Sequence, residues 1–465
     1  MKRWLVVLPL LAVAPGEVRA WEPETTQTGL AEQAALSSTL HKRLVTLGFG
    51  GGLFEPLTIP PADARALIDA LKLLSPSHGS VPDARGRQAA LAWLAAGAAL
   101  ADLPASHGAN HFYDPLSHQG WQRPDRSFTA GIADRVRDAM GRADIPAHGV
   151  PAPDWVTSKA NPFNLDAFLL QYGKAVSAAT PGERSRYMAA ALVAAGAMMH
   201  VLGDLGAPSR VRGDEAAHFE PLGGGPDDLG SRFERIAALA FGRLGVPPPA
   251  RTITRTHLRD FFTAADHTGL ADVISRSYFS ANTLPGSVRV GGTHDDQPHL
   301  VRALPALPAR LNLMAATHQD GTTVRDAADT CLVRYHVEHD VLSFSLDDDC
   351  MLEQVTAILP EVAAYEAGLL DFLLRGELVV AVADHISVGG KGLGTGELVI
   401  LGEDDRGVRT QLSTVHVAAG KASDQAVEVA NAPIPASWSR VVAVFRGTDA
   451  GGEPLVAVGS ALPGR

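Results

Sequence analysis

The sequence predicts a mainly helical protein, a multi-helix domain followed by a C-terminal antiparallel β-sandwich. Three observations support this. Apolar residues recur at helical spacing from Leu30 to Leu374. Beyond Glu377 the pattern changes to short β-branched runs separated by turns rich in Gly, Asp and Pro. Helix start and stop signals sit where the periodic segments begin and end.

In chain order, helical periodicity covers Leu30 to Leu47, Ala64 to Leu74, Arg87 to Leu103, Phe128 to Met140, Leu165 to Ala178, Glu183 to Leu205, Asp228 to Leu244, Thr256 to Tyr278 and Met351 to Leu374. Thr180-Pro181-Gly182-Glu183 reads as a capping box with proline at the first helical position. Gly206 and Pro208 end that helix. Strands are expected at Leu378 to Ala383, Leu398 to Leu401, Val408 to Val417, Ala426 to Val429, Val441 to Phe445 and Leu455 to Val458. A Pro-, His- and Asp-rich insertion at about 285–350 carries one expected strand, Val341 to Leu346. The chain thus divides into a leader over 1–20, a helical domain over 21–376 that contains the insertion, and a β-sandwich over 377–465.

The leader is expected because Lys2 and Arg3 precede an apolar stretch from Trp4 to Ala14, with small residues for cleavage at Val18-Arg19-Ala20. Its removal would make Trp21 the mature terminus of a secreted or periplasmic protein with no transmembrane segment. The Ala-rich stretch Met188 to Met199 reads as a buried helix. With 46% hydrophobic and 20% charged residues, the chain can bury a large core. Loss of the leader's Lys2, Arg3, Arg19 and Glu17 takes the net charge from −11 to −13. That acidity argues against a long polyanion as partner, since nucleic-acid affinity rests on phosphate neutralisation by Lys and Arg. Cys331 and Cys350 are the chain's two cysteines and are expected to pair as a disulfide.

The chemistry lies in Asn110-His111-Phe112-Tyr113-Asp114-Pro115 and in His200-Val201-Leu202-Gly203-Asp204. His200 and Asp204, four apart on a helix, project from one face. Asp102 ends the Arg87 helix, and His111 follows after a loop where Pro104 and Gly108 let the chain turn back. These four form a nitrogen and oxygen donor set suited to zinc, which brings the pKa of a bound water to about 7. Asp102 can also serve as the base that orients that water. The bland reading of His200 alone is a satisfied core histidine; its company at Asp204 and His111 favours metal.

With mature Trp21, Asp102, His111 to Pro115, and His200-x-x-x-Asp204-x-x-x-Pro208, the chain resembles the zinc-dependent bacterial phospholipase C and fungal single-strand nuclease superfamily over roughly Trp21 to Glu234. The resemblance implies a helical fold around three zinc ions that hydrolyses a phosphodiester. Asp102, His111, His200 and Asp204 would hold one ion. The amine and carbonyl of Trp21, an early histidine and Asp204 would hold a second, and later histidines with Glu234 a third. Two positions depart from that pattern, Gln27 at the early histidine and Arg210 at the later one. Arginine has no lone pair to offer a metal. Arg210 is therefore expected to stand in for one zinc ion as a fixed positive charge, paired with Glu234 or with a substrate phosphate. His218 could instead restore the third site, and His41 could replace Gln27, although a surface role suits His41 better. One zinc is expected, and up to three if the departures are compensated.

Other features carry less. Gly389 to Gly394 reads as a hairpin turn rather than a phosphate loop, Asp347 to Asp349 as a solvated acidic turn, and His336 with His339 as surface residues. Three functions fit. The first is an exported phosphodiesterase acting on phospholipid head groups or a related small ester; the β-sandwich could make peripheral membrane contact, or contact glycan or another protein. The others are a single-strand nuclease on the same scaffold and a catalytically weakened relative that binds rather than turns over.

Overall fold

The computed structural model describes residues 23–58, 86–122, 146–222, 229–289, 318–319, 322–339, 341–383, 385–417, 427–429 and 438–462. The leader, Trp21 and the expected helices at Ala64 to Leu74 and Phe128 to Met140 lie outside these residues.

The longer helices among the described residues are α1 (Thr28–Ser37), α2 (Leu40–Thr46), α3 (Ala90–Leu100), α4 (Leu165–Ser177), α5 (Pro181–Gly203), α6 (Arg232–Arg243), α7 (Leu270–Ser277) and α8 (Asp348–Leu373). The central one, α5, begins at the capping box. Thr180 accepts from the Glu183 amide while the Glu183 carboxylate accepts from the Thr180 amide, so two end donors are satisfied reciprocally. Its apolar stretch is long enough to cross a membrane, yet 94% of that window is buried by α3, α4 and α8, as befits a core helix.

Two expected helices break. Leu30 to Leu47 divides between α1 and α2 because Ser38 turns extended, and the Thr39 amide and hydroxyl go to Asp371 on α8. Thr256 to Tyr278 leaves one turn at Arg259–Phe262 before α7, since Asp272 folds the intervening loop by accepting from Ala264, Gly269 and Thr263. Local bonding by Asp, Ser and Thr competes with the helix in each case.

The insertion holds more structure than expected. Strands β1 (Val288–Arg289), β2 (His318–Gln319), β3 (Thr323–Arg325), β4 (Cys331–Glu338) and β5 (Val341–Ser345) form an antiparallel sheet in the order β1-β5-β4-β3-β2. A bond between Cys331 and Cys350 ties β4 to the first turn of α8. The acidic run is a helix start rather than a solvated turn: Asp347 caps α8 by accepting from the Cys350 amide, and Asp348 and Asp349 occupy its first turn.

Strands β6 (Leu378–Val382), β7 (Ile386–Gly390) and β10 (Val427–Val429) make one antiparallel sheet. A second, ordered β9-β8-β11-β12, contains β8 (Leu393–Asp404), β9 (Arg409–Val417), β11 (Trp438–Asp449) and β12 (Pro454–Ala461). The expected hairpin at Gly389 to Gly394 is instead a crossing between sheets, because β7 pairs with β6 and β10 while β8 pairs with β9 and β11. Leu398, Ile400, Val441, Ala443 and Phe445 face the three-stranded sheet, whereas Val399, Leu401, Val442 and Val444 join the helical core. Burial on both faces explains why these strands read as continuous apolar runs. Arg446 donates to the Gly173 carbonyl and Arg409 to that of Val176, so arginines seat the sheet on the end of α4.

Candidate metal centre

Three segments distant in sequence meet at the C-terminal end of α5. Gly196, His200 and Asp204 share a stripe at four-residue spacing. At Gly196 the α3 backbone comes so close that an added Cβ would lie 2.0 Å from the Leu94 carbonyl oxygen; at Gly97 it would lie 2.1 Å from that of Val193. This contact carries the end of α3 to His200, whose Nδ1 donates to the Ala98 carbonyl at 2.6 Å. A proton committed there leaves the Nε2 lone pair facing the site, as a metal-binding histidine requires. Asp102 lies two residues beyond α3. His111 follows the turn Ala105–Asn110, and its segment is held to α5's extension by the Tyr113 amide, which donates to the Arg210 carbonyl at 3.0 Å.

One donor atom from each of Asp102, His111, His200 and Asp204 lies within 4.8 Å of the others. His111 Nδ1 is 3.3 Å from Asp102 Oδ1 and 2.9 Å from Asp204 Oδ2, and His200 Nε2 is 3.4 Å from Asp102 Oδ2 and 3.2 Å from Asp204 Oδ2. A tetrahedral zinc with bonds of ~2.0–2.1 Å has donor-to-donor edges of ~3.3–3.4 Å. His111, His200 and Asp204 are fully buried and Asp102 is 6% exposed. Neither oxygen of Asp102 nor Nε2 of His200 makes a conventional hydrogen bond among the described residues. Unpaired buried donors facing one point fit a divalent cation.

The electrostatics agree. Burial opposes ionisation of Asp204 and Asp102, but the surrounding charges and hydrogen bonds together outweigh it and hold both carboxyls below their usual range, His200 acting on both, with Arg210 and His111 adding to the effect at Asp204 and His111 at Asp102. Burial also disfavours a charged His200, yet Asp204 and Asp102 hold its pKa well above the ordinary histidine value. In the metal-free protein a proton on His200 thus takes the place of a cation.

A second cluster adjoins the first through Asp204. Arg210, 1% exposed, places Nη1 3.6 Å from Asp204 Oδ2 and Nε 3.3 Å from Glu234 Oε1, with its guanidinium 4.4 Å above the Phe112 ring. His218 is buried edge-on to Phe112, with Nδ1 3.8 Å from Glu234 Oε1. Burial and then Arg210 push its pKa well below the usual value. Burial pushes Glu234 up to about 8 against the pull of Arg210. Gln27, at the end of the turn Pro23–Gln27, donates its side-chain amide to Asp204 Oδ1. His41 is exposed on α2, away from this cluster, beside the Leu53 amide. His336 and His339 are likewise exposed.

Sequence reasoning missed Glu366. It is buried on α8 with both carboxylate oxygens unpaired among the described residues, and burial raises its pKa well above the usual value. A Cβ at Gly203 would lie 2.4 Å from Glu366 Oε1 and 3.5 Å from Gln27 Oε1, so the carboxyl reaches the back of the Asp204 cluster. The signal was present: the helical neighbours Val362, Ala363, Leu369 and Leu370 are all apolar, which marks Glu366 as inward-facing.

A cleft of about 240 Å³ opens beside Arg210 and Phe112, lined further by Asp114, Gln119, Gln122 and Glu215.

No protein-family model matches the chain, nor does any curated protein sequence. Among solved structures, an alpha toxin from Clostridium absonum aligns over 96% of this chain and 96% of its own, at 11% identity and a TM-score of 0.31. The Clostridium perfringens alpha-toxin isolated from avian strain SWCP aligns over 96% and 99%, at 11% identity and a TM-score of 0.29.

Proposed function

We propose that this protein is an exported, zinc-dependent phosphodiesterase of phospholipase C type, acting on a small phosphodiester or phospholipid head group. The observation that carries this reading is the convergence of Asp102, His111, His200 and Asp204 at tetrahedral-edge distances in a buried site. Zinc held by these four donors would need a further, fifth position for water, and there it would polarise a phosphoryl oxygen and lower the pKa of the bound water to about 7. The chain's own residues do the rest. Ala98 fixes the His200 tautomer, and Gln27 holds Asp204 in place. Asp102, the least buried of the four, is the group to accept the water's proton and aim it. The neighbouring cleft gives the ester a place beside Arg210. The disulfide suits an oxidising compartment.

Arg210 and Gln27 favour a second reading, a binding relative with weakened catalysis, because both engage Asp204 oxygens that a fuller metal cluster would use. Hydrolysis of short-chain lecithin and of single-stranded DNA, with and without chelator, separates the readings. Chelator-sensitive cleavage of lecithin supports the first, and cleavage of DNA alone points to a nuclease. Stoichiometric zinc with no turnover of either substrate sinks the enzyme reading and leaves the binding one.

A further inference from the structure

The charges enclosed around Asp204 limit how many cations the site can take. Asp102, Asp204 and Glu234 are buried carboxylates, and Arg210 is a buried guanidinium in contact with two of them. Resting on the metal-centre reading above, we infer that this cluster of described residues holds a single divalent ion, and that Arg210 is a built-in cation filling the position between Asp204 and Glu234 that a second ion would take.

When Asp102, Asp204 and Glu234 are all ionised, their three negative charges against the one guanidinium leave two, which one divalent ion balances. A second ion would bury two uncompensated positive charges in a site with almost no exposure to water, and unpaired buried charge is costly.

Donor geometry gives the same answer independently. Asp204 Oδ2 already faces His111, His200 and Arg210, and its Oδ1 accepts from Gln27, so neither oxygen is directed at a second ion. His218 and Glu234 lie within reach of each other and are otherwise suited to a metal. Both His218 ring nitrogens are buried without a hydrogen-bond partner among the described residues. What stands among His218, Glu234 and Asp204 is the guanidinium. A donor set complete except for a fixed cation in its middle predicts that removing the cation creates a site.

The test is metal content per chain. Wild type, Arg210→His and Arg210→Lys would be stripped with chelator, reloaded with excess zinc, desalted and measured by plasma mass spectrometry, with circular dichroism to confirm folding. One zinc in wild type, one in Arg210→Lys and two in Arg210→His is the expected pattern. The lysine keeps a charge, whereas the histidine exchanges it for a lone pair. Two or more ions in the wild type would overturn the inference while leaving the metal centre standing. No zinc in the wild type would overturn both. A folded Arg210→His that still binds one ion would show that the guanidinium is not what excludes the second.

Discussion

Replacing Gly196 with alanine tests whether helix packing sets the metal centre. The new methyl would sit 2.0 Å from the Leu94 carbonyl oxygen and 3.0 Å from the Ala98 amide nitrogen, both backbone atoms that cannot rotate aside. Relief requires α3 to withdraw from α5 by about 1 Å or more to reach ordinary van der Waals separation. Overpacking of this kind costs about 1–3 kcal/mol. The same withdrawal lengthens the bond from His200 Nδ1 to the Ala98 carbonyl, now 2.6 Å, and draws Asp102 from His200 Nε2, now 3.4 Å. Loss of such a supporting contact lowers metal affinity by about 10–100-fold. The assay is zinc competition against a chromogenic chelator, beside thermal melts of loaded and stripped protein. Gly242→Ala on α6 is the control: its Cβ meets nothing within 4 Å, so a gain of about 0.5–1 kcal/mol and unchanged zinc affinity are expected. A Gly196→Ala protein that is destabilised yet binds zinc as tightly as wild type would refute the link between α3–α5 spacing and the site.

Two further expectations concern stability. Glu234 has a folded pKa of about 8 against a usual 4.5, so in the metal-free protein it contributes stability that is fully present below 4.5 and lost as pH rises through about 8. Urea melts across that window should show a decline that Glu234→Gln flattens, and an equally steep decline in the variant would remove Glu234 as its source. The disulfide closes a separation of 19 residues. Cys350→Ser should therefore lower stability by about 3 kcal/mol on the chain-entropy model, measured by denaturant unfolding, and a loss well under 1 kcal/mol would show that this cross-link does not act through the unfolded chain.

Features legible in the sequence are those whose physics is local. The capping box at Thr180, the four-residue step from His200 to Asp204 and the switch to β-branched runs after Glu377 each depend on residues within a turn or a strand of one another. Where local bonding competed with periodicity, as at Ser38 and Asp272, the same patterns overran the true helix ends. The two- and three-residue strands of the insertion were hidden because they carry almost no alternation of their own, and Val288–Arg289 owes its pairing to Val341 and Leu342, far along the chain.

The sequence by itself determined which side chains are fit to hold a metal, and that Arg210 is not, because lone pairs and fixed charge belong to the residue type. Only the tertiary structure decided which of them share a centre. Asp102 reaches His200 because two glycines let α3 and α5 touch, Arg210 settles between Asp204 and Glu234, and Glu366 arrives from α8 more than 160 residues away. Convergence is a property of packing: it depends on how closely backbones approach across the core, and no local spacing encodes that distance.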